Sequence, residues 1–295
     1  MSREGNTMSL IFDFIDNLRF YNRRRIYRRL QSKPIRMSYN GFLFSGFQSF
    51  IDGTWEPGST QVFKNLLDNV NLFVNVGAHH GYYCCIALKK GVKTIAFEPD
   101  KSNCLMIEKH IKANEFGDNF QLHEAAAGSK TSEMKFFGGG DTGSLIKPNP
   151  AAPLSQIDTV SVVKLDDLIE PKDQKIIFMI DTEGSELDVL KGSMNIISGN
   201  IKHYFIIELW DPDVSDTLDA NEKHFSDVFK LMEAAGYNGW GIDEKKGELF
   251  EPTVNNLQVR KLPSDKASFS NYLFVHANEN HDFLLNKQFN SALSK

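Results

Sequence analysis

Two hydrophobic rhythms alternate along the chain. Short apolar runs recur at Leu72–Val76, Val92–Phe97, Phe120–Ala126, Lys175–Ile180 and Tyr204–Leu209. Such unbroken runs are what strands buried on both faces of a parallel sheet look like. Between them, apolar residues fall three and four apart, as on one face of a helix. These stretches are Tyr82–Lys90, Ser102–Asn114 (Leu105, Ile107, Ile111), the segment after Ser185 (Leu187, Val189, Leu190, Ile196, Ile197) and Glu222–Ala235. Strand and helix in alternation predict an α/β fold. Two later runs, Tyr237–Asp243 and Asn271–His276, predict two further strands separated by a polar segment.

Ahead of this body the rhythm changes. Leu10, Phe14, Leu18, Tyr21, Ile26 and Leu30 keep helical spacing from Met8 to Gln31, and Pro34 ends the helix. Tyr39–Asp52 is aromatic and glycine-rich and reads as a hairpin. Trp55-Glu56-Pro57-Gly58 reads as a turn, with Thr60 capping a short helix through Leu67. Gly138–Gly140 open a loop that is either a lid or plain surface.

Charge sets the first segment apart. Residues 1–36 carry nine Lys/Arg against three Asp/Glu, and the remainder carries 24 against 35. The basic arm, strongest over residues 19–36, therefore has three readings: contact with an acidic membrane or nucleic acid, docking on an acidic protein surface, or a solvated covering helix. With 41% hydrophobic and 24% charged residues, the composition is that of an ordinary globular protein. No apolar run approaches the ~18 residues of a membrane span, and no secretory signal pattern is present. Three cysteines, two of them adjacent and none in a C-x-x-C, point to a reducing, cytoplasmic compartment without disulfides or zinc.

The most informative stretch is Leu72 to Asp100. A strand ends in Asn75-Val76, and the turn Gly77-Ala78-His79-His80-Gly81 follows. A helix comes next, then a second strand ending in Glu98. Glycines let the backbone take positive φ and approach a ligand closely, and the helix start offers free N–H groups. An acid about 20 residues after the first glycine is placed to accept hydrogen bonds from a ribose diol. Glu98 stands 21 positions after Gly77. The turn is not G-x-G-x-x-G, since His79 and Tyr82 occupy the second and third glycine positions, and no P-loop occurs. A nucleoside without a pyrophosphate cradle is the expectation.

This turn resembles motif I of class I S-adenosylmethionine-dependent methyltransferases, with Asn75 as the residue near the end of the first strand. More narrowly, NVGAHHGYY followed by AFEP resembles the FkbM family of that class. A second stretch fits the same family: VVKLDDL (162–168), then the strand ending in Asp181-Thr182-Glu183-Gly184-Ser185-Glu186. The resemblance is best from Leu72 to Trp210, with an echo at Asn271–Val275. It implies a Rossmann-like, mostly parallel seven-stranded sheet with its last strand antiparallel, S-adenosyl-L-methionine as cofactor, and O-methylation of sugar or small-metabolite hydroxyls or carboxyls. In the domain scheme, residues 1–36 form the arm and 37–295 the methyltransferase domain, with 37–70 as an N-terminal cap and 71–277 as the core sheet.

On this reading Asn75, Gly77, Ala78, Gly81, Glu98, Asp181 and Glu183 hold the cofactor. Glu124 and Ala125, after the third strand, line its adenine. Asp181, His79 and His80 are candidates for the general base that a hydroxyl acceptor needs. The acids of D-x-E-G-x-E could instead hold a metal or, for Glu186, favour a helix start. Asn-Pro-Pro-Tyr is absent, which argues against a nucleic-acid base as acceptor. The alternatives are a nicotinamide-dependent oxidoreductase and a degenerate methyltransferase fold that binds partners through its basic arm.

Overall fold

The computed structural model describes residues 29, 32–137, 143–145, 157–171, 174–209, 218–250 and 270–279. The arm helix expected over 8–31 and the loop at 138–142 lie almost wholly outside them. The hairpin expected over Tyr39–Asp52 is displaced: Arg36–Met37 (β1) pairs with Leu43–Phe44 (β2), and Gln48–Asp52 is a helix (α1) that ends at Gly53 with φ +76°. Pro57–Leu67 (α2) begins three residues before the expected Thr60 cap. Pro57 starts it because a fixed φ and a missing N–H cost nothing at a helix's first turn.

The body then alternates as the hydrophobic pattern requires. Leu72–Val76 (β3) leads to Tyr82–Lys89 (α3), Lys93–Phe97 (β4), Lys101–Ala113 (α4) and Phe120–His123 (β5). A small sheet follows from Ala126–Ala127 (β6), Ser132–Phe137 (β7) and Ile157–Val163 (β8), in the order β6-β8-β7. After Leu165–Leu168 (α5) come Ile176–Ile180 (β9), Glu186–Lys191 (α6), Met194–Ser198 (α7) and Tyr204–Leu209 (β10). Leu218–Ala234 (α8), Tyr237–Ile242 (β11), Leu249–Phe250 (β12) and Ser270–His276 (β13) complete it. Among the described residues no helix is long and apolar enough to cross a membrane.

The main sheet runs β12-β11-β13-β10-β9-β3-β4-β5. Strands β10, β9, β3, β4 and β5 are parallel, and β13 runs antiparallel between β10 and β11. This is the expected seven-stranded sheet with its last strand reversed. The two-residue β12 adds an eighth strand as a hairpin on β11.

Every residue of β3, β9 and β10 is buried. Because side chains alternate across a strand, each strand feeds two cores. Leu72, Val74 and Val76 join Ile176, Phe178, Ile180, Phe205 and Ile207 on the face covered by α6 and α8. Phe73, Ile177, Met179 and Ile206 pack on the opposite face, against α2 and α3. The same alternation carries Asn75, Asp181 and Glu208 onto the α2/α3 face, at the carboxyl ends of three neighbouring strands. Ligands of open α/β sheets bind at that edge.

Candidate functional site

The turn after β3 is built by its glycines. Gly77, His79 and Gly81 all have positive φ (+81°, +51° and +78°), which folds five residues into a knot ahead of α3. Gly77 is required by packing: a Cβ there would lie 1.7 Å from the Asp181 carbonyl oxygen. The glycine thus lets β3 and the Asp181 loop touch, beyond any approach to a ligand. A Cβ already belonging to any other residue at 81 would press on Ile107, 3.2 Å away.

Glu98 ties this turn to β4. Its Oε2 accepts the His79 backbone N–H (2.8 Å), and its Oε1 accepts the Asp100 N–H (2.8 Å) and the Asn103 amide (3.3 Å). Asp100 in turn caps α4 by accepting from the N–H groups of Ser102 and Asn103. Burial pushes the Glu98 carboxyl up to about 8, opposed by those donors.

A cavity of about 380 Å³ opens above the sheet edge, within the range of small-molecule sites. Asn75, Gly77, Ala78, His79, Glu98, Asp181 and Glu183 all line it. Its far side is made by Phe50, Trp55, Tyr82 and Tyr83 from the cap and α3, and its roof by Phe136, Gly143 and Leu145. Ser144 holds that roof down by donating to the Glu183 carbonyl (2.8 Å).

Four of the expected residues are not brought to this cavity. His80 is buried among Phe47, Phe50 and His79, with a ring nitrogen, Nδ1, that has no partner. Burial, with His79 and His110 nearby, pushes it down to about 2, so it is a neutral core histidine. Gly81 lies under Ile107, where it starts α3. Glu124 is exposed, and Ala125, though buried, is folded back by its N–H onto His123 (2.8 Å). The chain advances by two residues there, so Ala126 and Ala127 reach the cavity instead.

The D-x-E-G-x-E acids also separate. Glu186 is buried and turns away: its Oε1 accepts the Thr182 N–H (3.1 Å), the Thr182 hydroxyl (3.0 Å) and the Gly184 N–H (2.9 Å), and its Oε2 meets His224 Nε2 at 2.7 Å. It shapes the loop from which Asp181 and Glu183 reach the cavity. Ser185 precedes α6 and borders the cavity but makes no side-chain cap, and its hydroxyl is buried without a partner.

Two acids of the cavity escape motif reading. Glu208, at the end of β10, hydrogen-bonds Asp181. Burial and the Asp181 charge push it well above the usual carboxylate range. Burial also raises Asp181, opposed by that bond. Glu56 accepts from the Tyr83 hydroxyl (2.7 Å), and burial pushes it up to about 8. Both acids terminate elements, a strand and a turn, and only the fold brings them together.

The described lining therefore holds five carboxyl groups and no Lys or Arg. A dinucleotide's pyrophosphate has no partner there, whereas a nucleoside carrying a sulfonium cation does. The strand order and this edge site define the class I methyltransferase fold. The model of the methyltransferase FkbM domain matches residues 75–238, and the chain belongs to that family. S-adenosylmethionine is its cofactor, which replaces the nicotinamide alternative. A search of curated proteins finds no match.

Among solved structures, the chain is similar to a methyltransferase FkbM from Methylobacillus flagellatus KT: 18% identity, TM-score 0.42, covering 71% of this chain and 44% of that one. A putative O-methyltransferase from Klebsiella pneumoniae is 11% identical with TM-score 0.44, covering 78% and 90%. A precorrin-6y C5,15-methyltransferase from Geobacter metallireducens is 13% identical with TM-score 0.39, covering 79% and 93%. The chain thus spans less than half of the Methylobacillus protein.

Proposed function

We propose that this methyltransferase transfers the methyl group of S-adenosylmethionine to a hydroxyl oxygen of a sugar or other small metabolite. One observation carries the reading: a single cavity at the sheet edge has Glu98 on its β4 side and the Asp181–Glu208 carboxyl pair on its β9–β10 side. Glu98 and the Gly77–His79 turn hold the ribose, and Asn75, Asp181 and Glu183 take the methionine part. When bound, the cofactor supplies an electrophilic methyl group on a cationic sulfur. The protein's task is to align the acceptor oxygen with it, exclude water and receive a proton. Cavity acids suit the last role, and His79 is beside them.

The basic segment 19–36 is read as a docking element for an acidic membrane or protein surface, separate from the chemistry. The acceptor is a small molecule or glycan, not a nucleic acid.

Calorimetric titration with S-adenosylmethionine, with NADH as control, tests the cofactor half of this reading; saturable binding of the former alone is expected. Radiolabelled methyl transfer to hydroxyl acceptors tests the other half. Cofactor binding with no transfer to any hydroxyl acceptor would instead favour a binding module.

A further inference from the structure

Glu56 is an odd residue to find at the start of a helix. It precedes α2 in the left-handed region (φ +38°, ψ +61°), which a residue with a Cβ adopts at a cost. Its side chain makes no cap. The cap is supplied from 185 residues or more away: Glu244, on the β11–β12 hairpin, accepts the N–H groups of Gly58 (3.0 Å) and Ser59 (3.1 Å) and bonds the Ser59 hydroxyl. Gly58 permits this approach, since a Cβ there would meet the Asp243 carbonyl oxygen at 2.3 Å. Relieved of capping, the Glu56 carboxyl faces the cavity, held by Tyr83.

The surroundings of Glu56 describe a ligand. Phe50 packs against Trp55 (centroids 4.6 Å) and stacks on Tyr82 (5.0 Å), making an aromatic wall beside it. Asp181 and Glu208 stand across the cavity, and Asn271 hydrogen-bonds Glu56. Carboxyls and an amide match hydroxyl and ammonium groups, and aromatic faces match the C–H faces of a ring. No described lining residue is a Lys or Arg that could pair with a carboxylate or phosphate.

Resting on the hydroxyl-methylation reading, we propose that the Glu56 side of the cavity is the acceptor subsite. It admits uncharged or cationic polyhydroxyl compounds and turns away carboxylates and phosphates, and Glu56 receives the acceptor's proton. In the transfer, which needs Glu56 ionised and is therefore favoured as pH rises toward 8, the acceptor oxygen gains the methyl group and gives its proton to the Glu56 carboxylate. The methyl–sulfur bond breaks and its electron pair stays on sulfur, leaving a neutral thioether. The lining of this subsite thus argues against carboxyl methylation.

The test uses the full chain loaded with S-adenosylhomocysteine and three charge variants of one ring: methyl α-D-glucopyranoside, D-glucosamine and D-glucuronate. Saturation-transfer NMR at neutral pH should give dissociation constants for the first two at least tenfold below that of glucuronate. Glu56→Gln should shrink the glucosamine-over-glucuronate preference at least threefold. Glucuronate binding as tightly as the others, or none of the three binding, overturns the proposal, and an unchanged preference in Glu56→Gln removes Glu56 from it. S-adenosylhomocysteine is titrated first. Its failure to bind counts against the methyltransferase reading, and the sugars are then read on the unloaded protein, so the two failures stay distinct.

Discussion

The carboxylate of Glu98 accepts the backbone N–H of His79 at 2.8 Å. One acid therefore both faces the cavity and fixes the turn after β3. Removing it has two effects, which different substitutions separate. Glu98→Gln keeps an acceptor for the His79 N–H, so the fold should survive with a loss of about 1 kcal/mol. Measured above pH 8, where the carboxyl is ionised, cofactor affinity should fall roughly 10- to 100-fold, the worth of a charge-assisted hydrogen bond. Glu98→Ala should lose as much affinity and a further ~1–3 kcal/mol of stability, because two buried N–H groups lose their partner. Calorimetry with S-adenosylmethionine and urea unfolding measure both quantities; unchanged affinity in Glu98→Gln would remove the ribose assignment.

Gly77→Ala should be among the most damaging single-methyl additions in the chain. The new Cβ would lie 1.7 Å from the Asp181 carbonyl oxygen, and φ is +81°. Neither atom is a flexible side-chain tip, so β3 and the Asp181 loop must part. A loss of more than about 3 kcal/mol is expected, by overpacking and left-handed strain together. Urea midpoints test it, and a loss under about 1 kcal/mol would show that the two loops can separate freely.

Glu186 and His224 form a graded pair. Glu186→Ala strands the Thr182 and Gly184 N–H groups and unpairs His224, so about 3 kcal/mol should be lost, with weaker cofactor binding as the Asp181 loop loosens. His224→Ala leaves the loop's own bonds to Glu186 and should cost about 1 kcal/mol. Equal losses would mean that the helix α8 contact, and not the loop network, is what Glu186 serves.

Stability should fall on both sides of a maximum near pH 6 to 6.5. Glu56 and Glu98 are raised from 4.5 to about 8 in the folded state, so the native protein holds more protons and loses stability as pH rises from about 4.5 through 8. His80, His110 and His203 are lowered from 6.5 to about 2, 4 and 4 by burial, so their stability is present above pH 6.5 and lost as pH falls below it. Above pH 6.5 the acids act alone, and Tm should drop by about 5 °C or more by pH 8.5. Glu56→Gln or Glu98→Gln should each flatten that alkaline limb. A Tm that rises between pH 6.5 and 8.5 would contradict the buried, protonated carboxyls.

The strands of the sheet and half of the cavity were legible because their signals are local, while the reversed last strand came from the family resemblance. Uninterrupted apolar runs announce β3, β9 and β10, and the Gly77–Glu98 spacing announces the turn and its acid. Glu208 and Glu56 were not legible as site residues, because neither sits in a motif. Glu208 reaches Asp181 by strand register, as the residue paired with Asn271 and on the same face as Ile206. Period-two reading of Tyr204–Leu209 could have found it. Glu56 depends on a cap supplied by Glu244 across the fold, a pairing with no sequence signal. The same limit explains His80, whose ring stacks on that of His79 at 4.0 Å yet lies behind it, buried and off the cavity, and Glu124, displaced by a two-residue advance after β5.

Glu208 and Asp181 share one proton, and the side on which it rests predicts an asymmetry between two isosteric variants. Burial raises both carboxyls, and with the proton on Glu208 the Asp181 carboxylate is left facing the cavity. A glutamine at 208 donates through its amide in the same place, so Glu208→Gln should leave both stability and S-adenosylmethionine affinity within about a factor of three of the native protein, apart from the easier ionisation lost from the pair. Asparagine at 181 removes the anion itself. It still accepts the Glu208 proton, so stability should hold within ~1 kcal/mol. The cavity would then lack the charge that favours a cation, and S-adenosylmethionine affinity should fall by about tenfold or more, with little change for neutral S-adenosylhomocysteine. Calorimetric titration of both ligands against both variants resolves the four cases. If Glu208→Gln rather than Asp181→Asn loses the cationic ligand, the proton rests on Asp181, and Glu208 is the carboxylate that the cofactor meets.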